Sequence, residues 1–185
     1  MRADHAMARF TGAAGIAALA REEGEEASYG SIPASRRPNG TVLRVARHFR
    51  APATRVFGAW LDPGSAGRWL FATASRPLER VEIDGRVGGA FRLVELQRGR
   101  MTEHTGRYLE ILPPRRLAFT LSLDARSTRV VIDIVPRPAG CRLLLTHEDV
   151  PADAAQRIRG RWTGILYGLG VTVDGSTFSR RSDKE

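Results

Sequence analysis

VARHFRAPATRVFGAWLDPGSAGRWL, residues Val45 to Leu70, decides how the rest of the chain is read. Val45 and Phe49, taken as alternating with Arg47, give the period-two pattern of a half-buried strand. Pro52 then stands where a first helical turn tolerates a missing N–H, and Val56, Phe57, Trp60 and Leu61 recur on one helical face. Asp62-Pro63 repeats the signal: Asp62 is a candidate N-cap and Pro63 suits the first helical position. Two helices this short, running into Trp69-Leu70-Phe71, cannot bury their aromatic faces against each other. They need a sheet.

The sheet is written from Arg80 onward. Arg80–Asp84 leads into the glycine-rich turn Gly85–Gly89, and Ala90–Leu96 makes the second arm of a hairpin. Arg100–Leu112 is the next strand, ended by Pro113-Pro114. In Arg115–Leu123 the residues Leu117, Phe119, Leu121 and Leu123 alternate with Ala118, Thr120 and Ser122, the clearest one-face-buried pattern in the chain. Asp124–Arg126 turns this strand into Ser127–Val135, and Pro136–Gly140 turns again into Cys141–Glu148. Six or seven short strands joined by tight turns imply an antiparallel sheet. Glu148 and Asp149 are read as loop or helix-entry charges.

From about Ala152 to Val173 the period changes. Ile158, Trp162, Ile165, Leu166, Leu169 and Val173 fall on one helical stripe, while Arg157, Arg159 and Arg161 are read as pointing elsewhere. Gly164, Gly168 and Gly170 weaken helix propensity. Close approach to the sheet, or looseness at a cavity entrance, would account for them. A long amphipathic helix after a curved antiparallel sheet should lie across its concave face. The expectation is therefore an α+β helix-grip fold: a curved antiparallel sheet around a long C-terminal helix, with two short helices after the first strand.

The chain resembles the family similar to the activator of the ninety-kilodalton heat-shock ATPase, within the START-like (SRPBCC) superfamily. The resemblance runs through Val45–Leu70, Val81–Leu93, His104–Leu121, Ser127–Pro136, Arg142–Val150 and Arg161–Leu169, in the family's order, over roughly residues 41 to 173. It implies the same helix-grip domain, with a cavity between sheet and helix. It says little about activity, because the superfamily hosts ligand carriers, cyclases, hydrolases and co-chaperones on one scaffold. The eukaryotic co-chaperone behind the family name also relies on a partner domain with no counterpart in this short chain.

Composition narrows the field. The 185 residues carry 42% hydrophobic and 26% charged side chains, the ordinary range of a one-domain chain. No apolar run is long enough to span a bilayer. The net charge of +9 invites a nucleic-acid reading, but the arginines are scattered rather than gathered in a run. Cys141 is the only cysteine, so a disulfide within the chain and a thiolate-rich metal site are excluded; its place among Leu143 and Leu145 reads as a small buried hydrophobe. The four histidines show no metal-ligand spacing. The expected domains are a flexible N-terminal extension over residues 1–40, whose Phe10–Ala20 segment makes a poor secretory h-region, the helix-grip domain over 41–175, and a disordered tail over 176–185.

Alternation nominates a lining for the expected cavity: Phe119, Leu121, Leu143 and Leu145 from strands, and Trp162, Leu166 and Leu169 from the helix. Trp60, Trp69 and Phe71 would close one end. The alternative for each is that it simply fills a core. Inward polar residues carry more information, since burying them unpaired costs free energy. His147 shares the parity of Cys141, Leu143 and Leu145, which makes it a candidate ligand contact or general acid–base group, or else a histidine satisfied by a backbone partner. His104 is a second candidate, though the alternation leaves open which of its strand's faces looks inward. No serine lies in a nucleophile elbow. The Gly85–Gly89 turn joins two strands, so it lacks the helix N-terminus that cradles phosphate. The expected function is binding of a small apolar or aromatic ligand, in a cytoplasmic protein with no cofactor, no metal, no specific nucleic-acid partner and no membrane contact, and with a homodimer allowed. Its rivals are activation of a heat-shock ATPase and a cyclase- or hydrolase-type reaction.

Overall fold

The computed structural model describes residues 40–72, 78–97, 99–123 and 126–175. The extension expected over residues 1–40, Gly40 apart, and the tail expected over 176–185 lie outside these residues, as do Asp124 and Ala125 of one expected turn.

The strands are β1 (Thr41–Phe49), β2 (Leu78–Ile83), β3 (Ala90–Gln97), β4 (Arg100–Leu112), β5 (Arg116–Leu123), β6 (Arg126–Arg137) and β7 (Gly140–Val150). They form one antiparallel sheet in the order β1-β7-β6-β5-β4-β3-β2. Strands β2 to β7 are joined to their neighbours in sequence, and β1 closes the other edge by pairing with β7. Two short helices, α1 (Ala53–Gly58) and α2 (Pro63–Ala66), follow β1, and the chain ends its described part in α3 (Ala155–Asp174), entered through a single tight turn at Ala152–Ala154. This is the helix-grip fold the sequence implies.

Local chemistry explains the short helices. The Asp62 carboxylate accepts a hydrogen bond from the Ser65 amide at 2.7 Å, and Pro63 takes the first helical position. Pro52 sits one residue earlier than expected, as the cap before α1, and its carbonyl accepts from the Arg55 and Val56 amides. Val56, Phe57, Trp60 and Trp69 are all buried, with Trp60 and Trp69 meeting edge to face at 4.7 Å between ring centres.

Three readings change. Arg47 does not oppose Val45 and Phe49: all three have the same parity in β1, so the arginine lies on their face. Its guanidinium stacks over Phe49 and over Tyr167 of α3. Pro136 is not a turn residue, because β6 runs on to Arg137 and pairs there with Gly140. Register with β5 ends at Asp133, so the N–H that Pro136 lacks is not required by a ladder on that side. Glu148 and Asp149 belong to β7, where Glu148 lies 3.7 Å from Arg129.

Candidate functional site

The inner face of the sheet is apolar along most of its length. Leu43, Leu93, Val130, Ile132, Leu143 and Leu145 are buried and meet the stripe Ile158, Trp162, Ile165, Leu166, Leu169 and Val173 of α3. Polar side chains break this surface in two places, near the start of α3.

The first is a chain of hydrogen bonds around His147. The Trp162 Nε1–H donates to Nδ1 of His147 at 2.9 Å, and Nε2 lies 2.8 Å from the Thr128 hydroxyl. An indole N–H only donates, so Nδ1 accepts and the imidazole proton sits on Nε2. The Thr128 hydroxyl in turn donates a hydrogen bond to the Leu121 carbonyl at 2.8 Å. Every polar atom of this chain is satisfied. Burial pushes the His147 pKa down to about 4, so the ring is neutral at physiological pH. Both nitrogens are committed within the protein, to side chains rather than to the backbone partner considered above.

The second is a cluster of Glu95 from β3, His104 from β4 and Arg161 from α3. Nε2 of His104 lies 2.9 Å from Oε1 of Glu95, and Nη2 of Arg161 donates to the same oxygen at 2.5 Å. Nη2 and Nε2 are 3.1 Å apart as two donors converging on one acceptor. Burial alone would raise the Glu95 carboxyl, but the His104 hydrogen bond and the Arg161 charge together hold it below the usual carboxylate range. Burial lowers His104, with Arg161 adding to the effect and Glu95 opposing it. The ring is thus a neutral imidazole fixed by Glu95, with Nδ1 left as an acceptor. Phe71 lies on it, nearly parallel at 4.0 Å, and the Arg161 guanidinium, beside the same imidazole, also lies over Phe71 at 4.9 Å from the ring centre. Phe71 holds φ at +62°, a backbone conformation rare for a bulky residue.

A void of about 40 Å³ lies between these two groups. His104, Phe71 and Arg161 border it on one side, Trp162, His147 and Leu121 on the other, with Arg157 and Ile158 at the helix. A void of about 10 Å³ under Trp60 and Phe71 touches Phe119. The expected lining is therefore divided. Phe71, His104, Leu121, His147 and Trp162 come together at the larger void and Phe119 at the smaller, whereas Trp69, Leu143, Leu145, Leu166 and Leu169 are closely packed core, bordering neither. On the opposite face an open groove of about 680 Å³ runs beside β4, lined by Arg92, Thr105, Arg107, Thr120, Ser122 and Ser127. Its arginines are engaged, Arg92 with Glu103 and Arg107 with the Gly88 carbonyl.

Sequence reasoning missed Glu95, Thr128 and Arg161. Glu95 shares the parity of Phe91 and Leu93, and Thr128 that of Val130 and Ile132, so alternation could have found both. Arg157 and Arg161, expected to point away, both reach the void, and the Arg161 side chain folds back over Phe71. Among the described residues no group of three or more His, Cys, Asp and Glu could hold a metal ion, and no helix is long and apolar enough to cross a membrane.

The family model described as Activator of Hsp90 ATPase homolog 1-like protein matches residues 50–174, more than half of the chain, and the chain belongs to that family. Its fold is similar to that of a crystallised protein from Chromobacterium violaceum, with a TM-score of 0.66 and 29% identity over 72% of this chain and 98% of that one. A protein from Rhodobacter sphaeroides matches with a TM-score of 0.63 and 26% identity, over 72% of this chain and 93% of its own. The solution structure of an AHSA1-like protein from Aeromonas hydrophila matches at 0.65 and 23% identity, over 72% and 92%, which shows the fold alone. No curated protein sequence matches. A START-like fold of this kind supports a ligand-binding domain in general.

Proposed function

We propose that the chain binds a small hydrophobic or aromatic molecule between the sheet and α3, at the void bordered by Phe71 and Trp162. The observation that carries this reading is the position of Phe71, an aromatic ring laid over the adjoining His104 imidazole and Arg161 guanidinium beside unfilled space. A void of about 40 Å³ is far smaller than the ~300–1,000 Å³ of ordinary small-molecule sites. Entry of a ligand therefore displaces Phe71, whose own ring volume joins the void. A left-handed backbone at a residue of this kind costs on the order of 1–3 kcal/mol, and release of that strain favours the exchange.

Trp162 reports on the site directly. Addition of apolar and aromatic compounds should change tryptophan emission and raise the melting temperature by mass action. Trp162→Phe should abolish most of the spectral response, because Trp60 and Trp69 border the void nowhere. A broad panel that moves neither emission nor melting temperature would refute the reading. The activity named in the family's description is tested beside it: stoichiometric addition to an Hsp90 ATPase is expected to leave turnover unchanged, and a several-fold rise would put that activity first.

A further inference from the structure

The charges around the void are unevenly placed. Glu95 is the one carboxylate of the cluster, and it lies behind His104, with Oε1 taken by His104 and Arg161. The groups that face the space are two neutral imidazoles and two guanidinium groups, Arg157 and Arg161. Arg157 and Arg161 stand four residues apart on α3, so they are neighbours on one face, and like charges at that spacing repel. Glu95 neutralises Arg161. Arg157 is exposed and makes no ion pair with any described residue. The rim of an aromatic slot therefore carries one uncompensated positive charge.

We infer that the site takes a planar aromatic carboxylate, whose ring replaces Phe71 over His104 and Arg161 and whose carboxylate meets Arg157. This rests on the ligand-binding reading above and adds the chemical class of the ligand. A ring in that slot keeps both contacts that Phe71 makes, the parallel stack on the imidazole and the guanidinium over its face. A carboxylate at the rim stays partly hydrated, which avoids the penalty of burying a charge, and gains a planar guanidinium suited to two parallel hydrogen bonds.

The test uses the full chain with 2-naphthoate and its neutral counterpart 2-naphthalenemethanol, read by Trp162 emission and thermal shift. At low salt the carboxylate should bind about three- to fivefold more tightly than the alcohol, the size of an exposed ion pair, and the preference should shrink as sodium chloride is added. Arg157→Gln should remove that preference, bringing the affinities for the carboxylate and the alcohol together. Arg159→Gln is the control for net charge, since Arg159 lies outside the void and donates to the Arg44 carbonyl at 3.0 Å. It should preserve the preference. Equal binding of the two probes by the unaltered protein overturns the inference but leaves the ligand-binding reading standing. So does an equal loss in the Arg157 and Arg159 variants, which would make the preference a property of total charge. Failure of both probes, and of the wider panel, overturns the two together.

Discussion

His147 is a buried titratable side chain whose tautomer is dictated on both sides, by an indole donor and by a hydroxyl. Its pKa falls from the ordinary 6.5 to about 4 because protonation would strand a charge in an apolar interior and force Nδ1 to donate toward another donor. A histidine depressed in the folded state binds fewer protons there than in the unfolded chain. Stability is therefore whole above about pH 6.5 and is lost as pH falls toward 4. The shift corresponds to about 3 kcal/mol at most; His104, also lowered by burial, acts in the same direction. His147→Gln should flatten this acid limb in a urea-unfolding series across pH, at a loss of about 1–3 kcal/mol near neutrality from imperfectly replaced hydrogen bonds. An unchanged limb would assign the acid sensitivity elsewhere. Parity along β7 revealed that His147 faces inward, but it could not reveal the indole and hydroxyl that take both nitrogens, since these come from α3 and β6. Arg161 shows the complementary limit. A helical wheel fixes where Cβ emerges, and a side chain this long can still curl its charged end back over a neighbouring ring.

Among the elements, β4 and α3 owe their placement to glycines whose purposes differ. In β4 the ladder with β3 covers Arg100–Arg107 and that with β5 begins at Tyr108. Gly106 lies at this change of partners, where an added Cβ would sit 1.8 Å from the Thr120 carbonyl oxygen and 2.5 Å from the Phe91 ring. In α3, a Cβ added at Gly168 or Gly170 would lie 3.3 Å from Trp69 or 2.9 Å from Arg47, so close approach is their use, whereas one added at Gly164 would meet nothing within 4 Å. Two substitutions should thus move in opposite directions. Gly106→Ala should destabilise by about 2 kcal/mol or more, because backbone must shift to admit the methyl group. Gly164→Ala should stabilise by about 0.5–1 kcal/mol through helix propensity alone. Equal and small effects in chemical denaturation would mean that β4 bends without needing Gly106. The elements themselves were legible because each carries a clean period. The fates of the glycines were not, because a missing side chain leaves no period to read and its reason lies on another strand or helix.

Across the whole molecule the dominant number is the charge, 29 basic against 20 acidic residues. The antiparallel sheet followed from tight turns between consecutive strands, but the place of β1 beside β7 and the charge pairs across strands needed coordinates. Arg80 pairs with Glu82 along one strand and Arg86 with Asp84 within a turn, while the strands bring Arg92 to Glu103, Arg116 to Glu110 and Asp133, and Arg129 to Glu148. The exposed pairs among these add little stability, yet all of them break up the positive field over the sheet. On α3, Arg161 is spent on Glu95 and Arg159 is anchored to the Arg44 carbonyl. What is left is diffuse positive charge without a basic helix or ribbon to enter a groove. We therefore expect only weak, sequence-independent binding to duplex DNA, with a dissociation constant weaker than about 1 µM at physiological salt and a steep fall in affinity with added salt. Titration of a labelled duplex at several salt concentrations measures both. Sub-micromolar binding that persists at physiological salt, or that discriminates between duplex sequences, would show a recognition surface that the pairing of these arginines argues against.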